Sequence, residues 1–340
     1  MKVASFSKHL CAYIEEYLPN VRNYSDNTIL SYQDAFRLLE EYMLEKHGVK
    51  PYLLDYKHLT ESRVLDFLRW LEVERNCCAS TCNQRLSALS AFLKYASMRS
   101  TPALQACITV ASIPQKKVTR KPFSYFSVEE LGLLFQMPNI RKKLGCRDLV
   151  LLCVLYDSGA RAQELCDLTV MDVHFSKQPY LVLHGKGGKT RSIPLMERPA
   201  KMLKDYIAQN KTIITAKNTS IFFNQRGEPI TPACIRNLIQ KYVREARNSR
   251  PDMFQADAYS PHSMRHSKAV HMLEAGVDMV FIRDFLGHAS IQTTEIYATV
   301  SQALLNKTLR ERNLPSLCPN GETKRDPDLI PDYLKRKRRV

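Results

Sequence analysis

Apolar residues three and four apart recur along nearly the whole of this sequence, and that spacing confines the chain to a mostly helical fold. The stretch YSDNTILSYQDAFRLLEEYMLEKHG has a start signal at Ser25 or Asp26 and a glycine stop at Gly48. ESRVLDFLRWLEVERN and STCNQRLSALSAFLKYASM repeat the spacing, the second with Ser80 as its expected N-cap. Helices of this length over residues 1–110 predict a small bundle. Further on, SVEELGLLFQM and GCRDLVLLCVLYDSG are helical, and ARAQELCDLTVMDV opens another helix after the break at Gly159. Thr231-Pro232 and Ser260-Pro261 each set a hydroxyl before a proline at the first helical position, where the missing N–H costs nothing. The second of these helices runs to Leu273 before Gly276, and Asp278 starts DMVFIRDFL, which Gly287 ends.

The period changes in PYLVLHGKGGKTRSIPL, where two β-type runs flank a glycine-rich turn and predict a hairpin. SIFFNQRGEP adds a short strand and turn. The expected fold is therefore mainly α, with a small antiparallel β-sheet in the C-terminal domain. A chain of 340 residues also suggests two domains. No run approaches the ~18 apolar residues needed to span a bilayer, and MKVASFSKHLCAYIEEYL lacks the apolar core of a signal peptide. The expectation is a cytoplasmic protein with no membrane partner. The ten cysteines, among them Cys77, Cys78 and Cys82, show no CxxC pair and no histidine cluster beside them. They read as reduced thiols, with no metal site.

Net charge is +16, and its placement is informative. Residues 1–110 carry 13 basic and 12 acidic side chains, whereas the segment 111–122 (ASIPQKKVTRKP) carries four basic and none acidic. Residues 123–315 carry 26 basic against 18 acidic, and 316–340 carry seven against four. A polyanion is the natural partner of such a surface, and nucleic acid is favoured over a membrane. The organisation that follows is a helical domain at 1–110, a basic linker at 111–122 suited to a phosphate backbone, a second domain at 123–315 and a basic tail at 316–340.

Four segments place unusual residues at element ends. In SGARAQEL, Arg161 opens a helix, where a cation opposes the helix dipole. A salt bridge to Glu164, one turn on, is the plain explanation. In SPHSMRHS, His262 and Arg265 share one helical face near its positive end, and repel each other unless an anion lies between them. In HGKGGKTR, Lys186 and Lys189 ride a hairpin turn, either solvated or reaching into a neighbouring site. In LGHASIQTTEIYATVS, His288 follows a helix-ending glycine and Ser290 can cap a helix carrying Tyr297. That tyrosine, taken alone, reads as core. Taken together, two guanidinium forks suit the oxygens of a phosphodiester in in-line displacement. Tyrosine, with a pKa near ~10, forms a covalent phosphoester only if cations or a base activate it. Lysine can protonate a leaving alkoxide, and histidines can relay protons or donate to the phosphate. No carboxylate cluster for magnesium and no Walker loop is present in the sequence, so the implied chemistry needs neither metal nor ATP, and no cofactor is expected.

The ordered set SGARAQEL, HGKGGKTRSIPL, SPHSMRHS and LGHASIQTTEIYATV resembles the active-site boxes of the tyrosine recombinases, the phage integrase family, and is most similar to the Xer and transposon-integrase type. The resemblance covers essentially the whole chain. It implies that Arg161 and Arg265 clamp the phosphate, that Lys186 is the general acid, and that His262 assists proton transfer to or from the tyrosine. It further implies that His288 bonds the scissile phosphate, that Tyr297 is the nucleophile, and that Glu164, at an often acidic position, supports them. The cations expected against DNA are Arg85, Lys94, Lys116, Lys117, Arg120, Lys121, Lys189, Arg191, Arg226 and Arg236. The implied architecture is a two-domain C-shaped clamp on double-stranded DNA, its N-terminal core-binding domain SAM-like. The implied reaction passes through a 3′-phosphotyrosine and a Holliday junction, with a tetramer on two DNA sites and sister recombinases as further partners. Its setting would be a bacterial cytoplasm, at the nucleoid when bound, for integration, excision, transposition or Xer-like resolution. The tail's KRKRR either contacts DNA or a subunit, or is a solvated end. The alternatives are type IB topoisomerase-like relaxation and a DNA-binding regulator that has lost catalysis. The helical N-terminal domain and box spacing speak against the first, and the complete set of six against the second.

Overall fold

Local chemistry decides where each element begins and ends. In this computed structural model, which describes residues 5–118, 123–185, 188–214, 216, 219–287 and 297, the chain divides into two units, Met1–Lys121 and Pro122–Val340. In the first, α1 (Ser5–Ala12) widens into a π-helical stretch at Tyr13–Val21. Pro19, which has no N–H to donate to an α ladder, lies in that wider turn. Helix α2 (Asp26–His47) starts after Ser25 and stops at Gly48, whose φ of 64° lets the chain turn away. Helices α3 (Glu61–Val73), α4 (Ala79–Ser97) and α5 (Thr101–Ala111) complete the bundle. The N-cap position of α4 falls to Cys78, which makes no side-chain cap bond, and not to Ser80. The backbone is already helical at Ala79, so Ser80 lies in the first turn, its hydroxyl 3.1 Å from the Cys78 sulfur. Phe92, fully buried on α4, centres the core. Phe6, Tyr13 and Phe36 meet it edge-on with ring centroids at 5.1, 5.5 and 5.2 Å.

In the second unit α6 (Val128–Leu134) opens with Ser127 and Glu130 in a reciprocal capping box. The next helix, α7 (Lys143–Ser158), is buried along most of its length, with Val150, Leu151, Leu152, Val154 and Leu155 all in the core. A helix of that kind belongs in the middle, and α9 (Glu197–Gln209) and α11 (Pro261–Glu274) pack on it. Along the chain between α7 and α9 lie the short α8 (Ala162–Cys166) and an antiparallel sheet of β1 (Val173–His174), β2 (Tyr180–His184) and β3 (Thr190–Pro194), in that order. The hairpin pairs Leu183 with Arg191 and His184 with Thr190, turning Leu181, Leu183 and Ile193 into the core. SIFFNQRGEP forms no strand of this sheet. It makes only the isolated bridges Thr169↔Ser220 and Phe223↔Pro229, because the chain turns tightly at Asn224 and Pro229 has no N–H to extend a ladder. Helix α10 (Pro232–Ser249) begins after Thr231, whose hydroxyl accepts from the Cys234 N–H, and α12 (Met279–Leu286) after Asp278, which accepts from the Val280 N–H. Among the described residues no helix is long and apolar enough to cross a membrane.

Candidate active site

Three guanidinium groups converge where α7, α11 and α12 end or begin. Gly159 ends α7 with φ 56°, and two residues later Arg161 is the N-cap of α8. Its backbone N–H donates to Glu164 Oε2 and its Nη1 to Glu164 Oε1, both at 2.8 Å, while Nη2 reaches the Gly287 carbonyl at 3.3 Å. The salt bridge to Glu164 therefore exists, and it leaves the Arg161 side chain 35% exposed. Glu164 is also clasped by Arg191 of β3, with Nη1 at 2.9 Å from Oε1 and Nη2 at 2.7 Å from Oε2. Burial alone would raise the Glu164 pKa. The hydrogen bonds and charges of Arg191 and Arg161 outweigh it and hold the carboxyl at about 2.

Arg265, on α11, is only 4% exposed. Its Nη1 donates to the Gly159 carbonyl at 2.7 Å and its Nη2 to the Leu286 carbonyl. These are carbonyls at the C-terminal ends of α7 and α12, which lack helical partners and carry the negative end of each dipole. They fix the guanidinium without neutralising it. Burial, then the charges of Arg161 and Arg191, lower the Arg265 pKa to about 9 against the opposing pull of Glu164 and Tyr297. Three arginines against one carboxylate leave a net +2 around this point, and His262 faces the same cluster. Its pKa is pushed below the ordinary imidazole value by removal from water, then by Arg265, Arg161 and Arg236 of α10. An excess of this sign, with Arg265 and Arg191 largely withdrawn from water and Arg161 partly open to it, makes the cluster a candidate anion site.

Gly287 explains why this junction needs glycine. Its φ is 67°, and a Cβ there would lie 3.0 Å from the Arg191 side chain. Arg191 also donates from Nε to the Phe285 carbonyl at 3.1 Å. The β-hairpin, α8 and the end of α12 are thus stapled by one side chain. The chain enters the hairpin turn at Gly185, where a Cβ would stand 3.5 Å from Glu164 Oε1.

Tyr297 is 1% exposed and packs against Ala269, Val270, Ile282 and Leu286. Its hydroxyl lies 2.8 Å from His266 Nδ1, and Phe123 meets its ring edge-on at 5.3 Å. Burial raises its pKa to about 12, while Arg265 pulls the other way. The same burial, followed by His262 and Arg265, lowers the His266 pKa to about 4.

Of the six residues singled out for catalysis, Arg161, His262, Arg265 and Tyr297 surround this cluster, while Lys186 and His288 lie outside the described residues, as do Arg120 and Lys121. Lys94, Lys117, Lys189, Arg226 and Arg236 are exposed. Three of the cations expected against DNA are engaged within the protein. Arg191 holds Glu164 rather than projecting outward, because β3 turns it toward α8. Arg85 bonds Asp34 at 2.6 Å and the Ser31 carbonyl at 2.9 Å. Lys116 pairs with Glu72 at 2.5 Å, its backbone pinned to Asn83. Sequence reasoning missed His266 and Phe123. The available signal for His266 was its place four residues after His262, on the same face of α11.

A model of the phage integrase family matches residues 125–303, and one of the phage integrase N-terminal SAM-like domain matches residues 13–100. The chain is 31% identical over 297 residues to the tyrosine recombinase XerC of Bacillus subtilis (strain 168), covering 86% of this chain and 92% of that protein. It is 27% identical over 308 residues to the putative integrase/recombinase y4rC of Sinorhizobium fredii (strain NBRC 101917 / NGR234), covering 91% and 92%. Among solved structures it resembles the XerH recombinase bound to a palindromic difH substrate after cleavage, with TM-score 0.66, 20% identity and 90% and 85% of the two chains covered. It resembles the Tn1549 transposon integrase in complex with circular intermediate DNA, with TM-score 0.62, 19% identity and 87% and 98% covered. At such identities these two likenesses are of fold.

Proposed function

The chain belongs to the phage integrase family, and from that premise we propose that Tyr297 attacks a DNA phosphodiester held between Arg161 and Arg265. The protein is a tyrosine recombinase, an enzyme of site-specific DNA breakage and rejoining. One observation carries the assignment of its centre: a partly buried net positive charge, with Arg265 bonded only to helix-end carbonyls among the described residues, beside a sequestered tyrosine.

In the proposed reaction the phenolic oxygen forms a bond to phosphorus and the P–O5′ bond breaks. The phenolic proton leaves with the help of His262, and Lys186 protonates the departing 5′-oxygen. Arg161 and Arg265 stabilise the charge on the non-bridging oxygens, with His288 as a further donor. The product is a 3′-phosphotyrosine, whose bond energy is returned when a 5′-hydroxyl from a partner strand attacks it, so no ATP is spent. Glu164 and Arg191 set the angle of the clamp. Burial holds the phenol protonated, so docking of the phosphate and departure of the proton go together.

Four protomers on two DNA sites would exchange strands through a Holliday junction, with sister recombinases able to fill some positions. The XerH–difH complex supports a DNA-bound state for this fold, and a λ integrase dimer bound to a COC′ core site supports assembly on it. We place the activity in the bacterial cytoplasm, on chromosomal or mobile-element DNA. A nicked suicide substrate carrying the protein's own site tests the chemistry. Wild type accumulates a covalent adduct and Tyr297→Phe accumulates none. An equal yield from both would refute the assignment.

A further inference from the structure

Among the described residues, the Tyr297 hydroxyl has one polar partner, His266 Nδ1 at 2.8 Å. Phe123 completes a triangle of rings, edge-on to Tyr297 at 5.3 Å and 4.9 Å from the His266 ring. None of the four segments singled out His266 for a role. We propose that His266 is the positioning residue for the nucleophile: its Nδ1 accepts the Tyr297 hydroxyl hydrogen and fixes the oxygen at the edge of the guanidinium cluster. The inference rests on Tyr297 being the attacking residue.

The argument is one of valence and charge. A phenol has a single hydrogen to donate, and donating it to Nδ1 leaves only lone pairs open on the oxygen. A buried hydroxyl without that acceptor would lose a hydrogen bond it cannot recover from water. His266 stays available as an acceptor because burial, His262 and Arg265 all oppose a second ring proton. For the same reason it holds the hydrogen only in the resting site and is not the final base, since an imidazolium there would stand beside Arg265. The proton departs toward His262, whose ring lies 6.5 Å from that of His266, when the phosphate docks. Phe123, edge-on to the phenol and 4.9 Å from the His266 ring, packs against both rings, and the hydroxyl direction is set by the one bond to Nδ1.

The full-length protein labelled with ¹⁵N-histidine gives the first readout. The His266 Nδ1 resonance, identified by its loss in His266→Asn, is expected to be that of an unprotonated ring nitrogen and to move in Tyr297→Phe. The second readout is single-turnover adduct formation on the nicked substrate. His266→Leu should slow it by roughly tenfold to a hundredfold, as a misplaced reacting group does, with DNA affinity within about twofold of wild type. His266→Asn, whose amide oxygen stands close to the position of Nδ1, should restore most of the rate. A protonated Nδ1, a resonance unmoved by Tyr297→Phe, or equal rates in the Leu and Asn variants would each overturn the proposal. If wild type makes no adduct while the resonance still moves, the contact stands and the recombinase assignment of Tyr297 falls instead.

Discussion

Glu164 is the residue on which the cluster turns. It faces two arginines with both oxygens filled, and no water-exposed edge remains to compensate a lost partner. Its carboxyl is held at about 2 against an ordinary value of 4.5, so the folded protein binds that proton more weakly than the unfolded chain does. The stabilisation is complete above about 4.5 and is lost as pH falls toward 2. Glu164→Gln should lower Tm at neutral pH, and its gap from wild type should close across that window in melts taken from pH 6 to 2. A gap of constant size would contradict the ion-pair account. For Arg265, a lysine keeps the charge but cannot span the Gly159 and Leu286 carbonyls and still face a phosphate. Arg265→Lys should therefore slow adduct formation by roughly 10²–10³, the scale for removing one oriented donor from a developing anion. Folding, followed by circular dichroism, should persist.

The turns and caps between elements decide whether the cluster closes. Gly287 ends α12 in a left-handed conformation and passes against Arg191. A methyl group there meets both penalties, and Gly287→Ala should lose about 1–2 kcal/mol from the backbone alone, with a larger loss in adduct rate as Arg191 is displaced from Glu164. Denaturant titration and the suicide-substrate assay read the two effects separately. In the first unit, Phe92 joins α1, α2 and the π-helical stretch. Phe92→Ala should cost about 3–5 kcal/mol, read as a fall in the denaturant midpoint. The elements themselves were legible in the sequence wherever the signal was local: Ser25, Gly48, Thr231, Ser260, Asp278 and Gly287 stand at helix ends. The misreadings share a cause. Ser80 and SIFFNQRGEP carried the right residue types, but their backbones were set by neighbours the local pattern does not contain.

Over the whole molecule, charge governs encounter with DNA. A net charge of +16 predicts association that weakens steeply with salt. The structure sharpens which cations are available. Lys94 is exposed, whereas Arg85 on the same helix is spent on Asp34 and Ser31. Lys94→Ala should reduce the slope of log affinity against log salt by about one, while Arg85→Ala should leave the slope unchanged and lower Tm. Fluorescence anisotropy across a salt series distinguishes them.

The sequence by itself determined the mainly helical class, a small antiparallel sheet and membership of the family, because period, caps and ordered boxes are written in consecutive residues. Only the tertiary structure decided that Arg191 would clasp Glu164 from 27 residues away, and that Tyr297 would rest on His266 from 31 residues away. A helical period tells which face a side chain occupies. It does not tell which face of another element will stand within the three ångströms that a hydrogen bond requires.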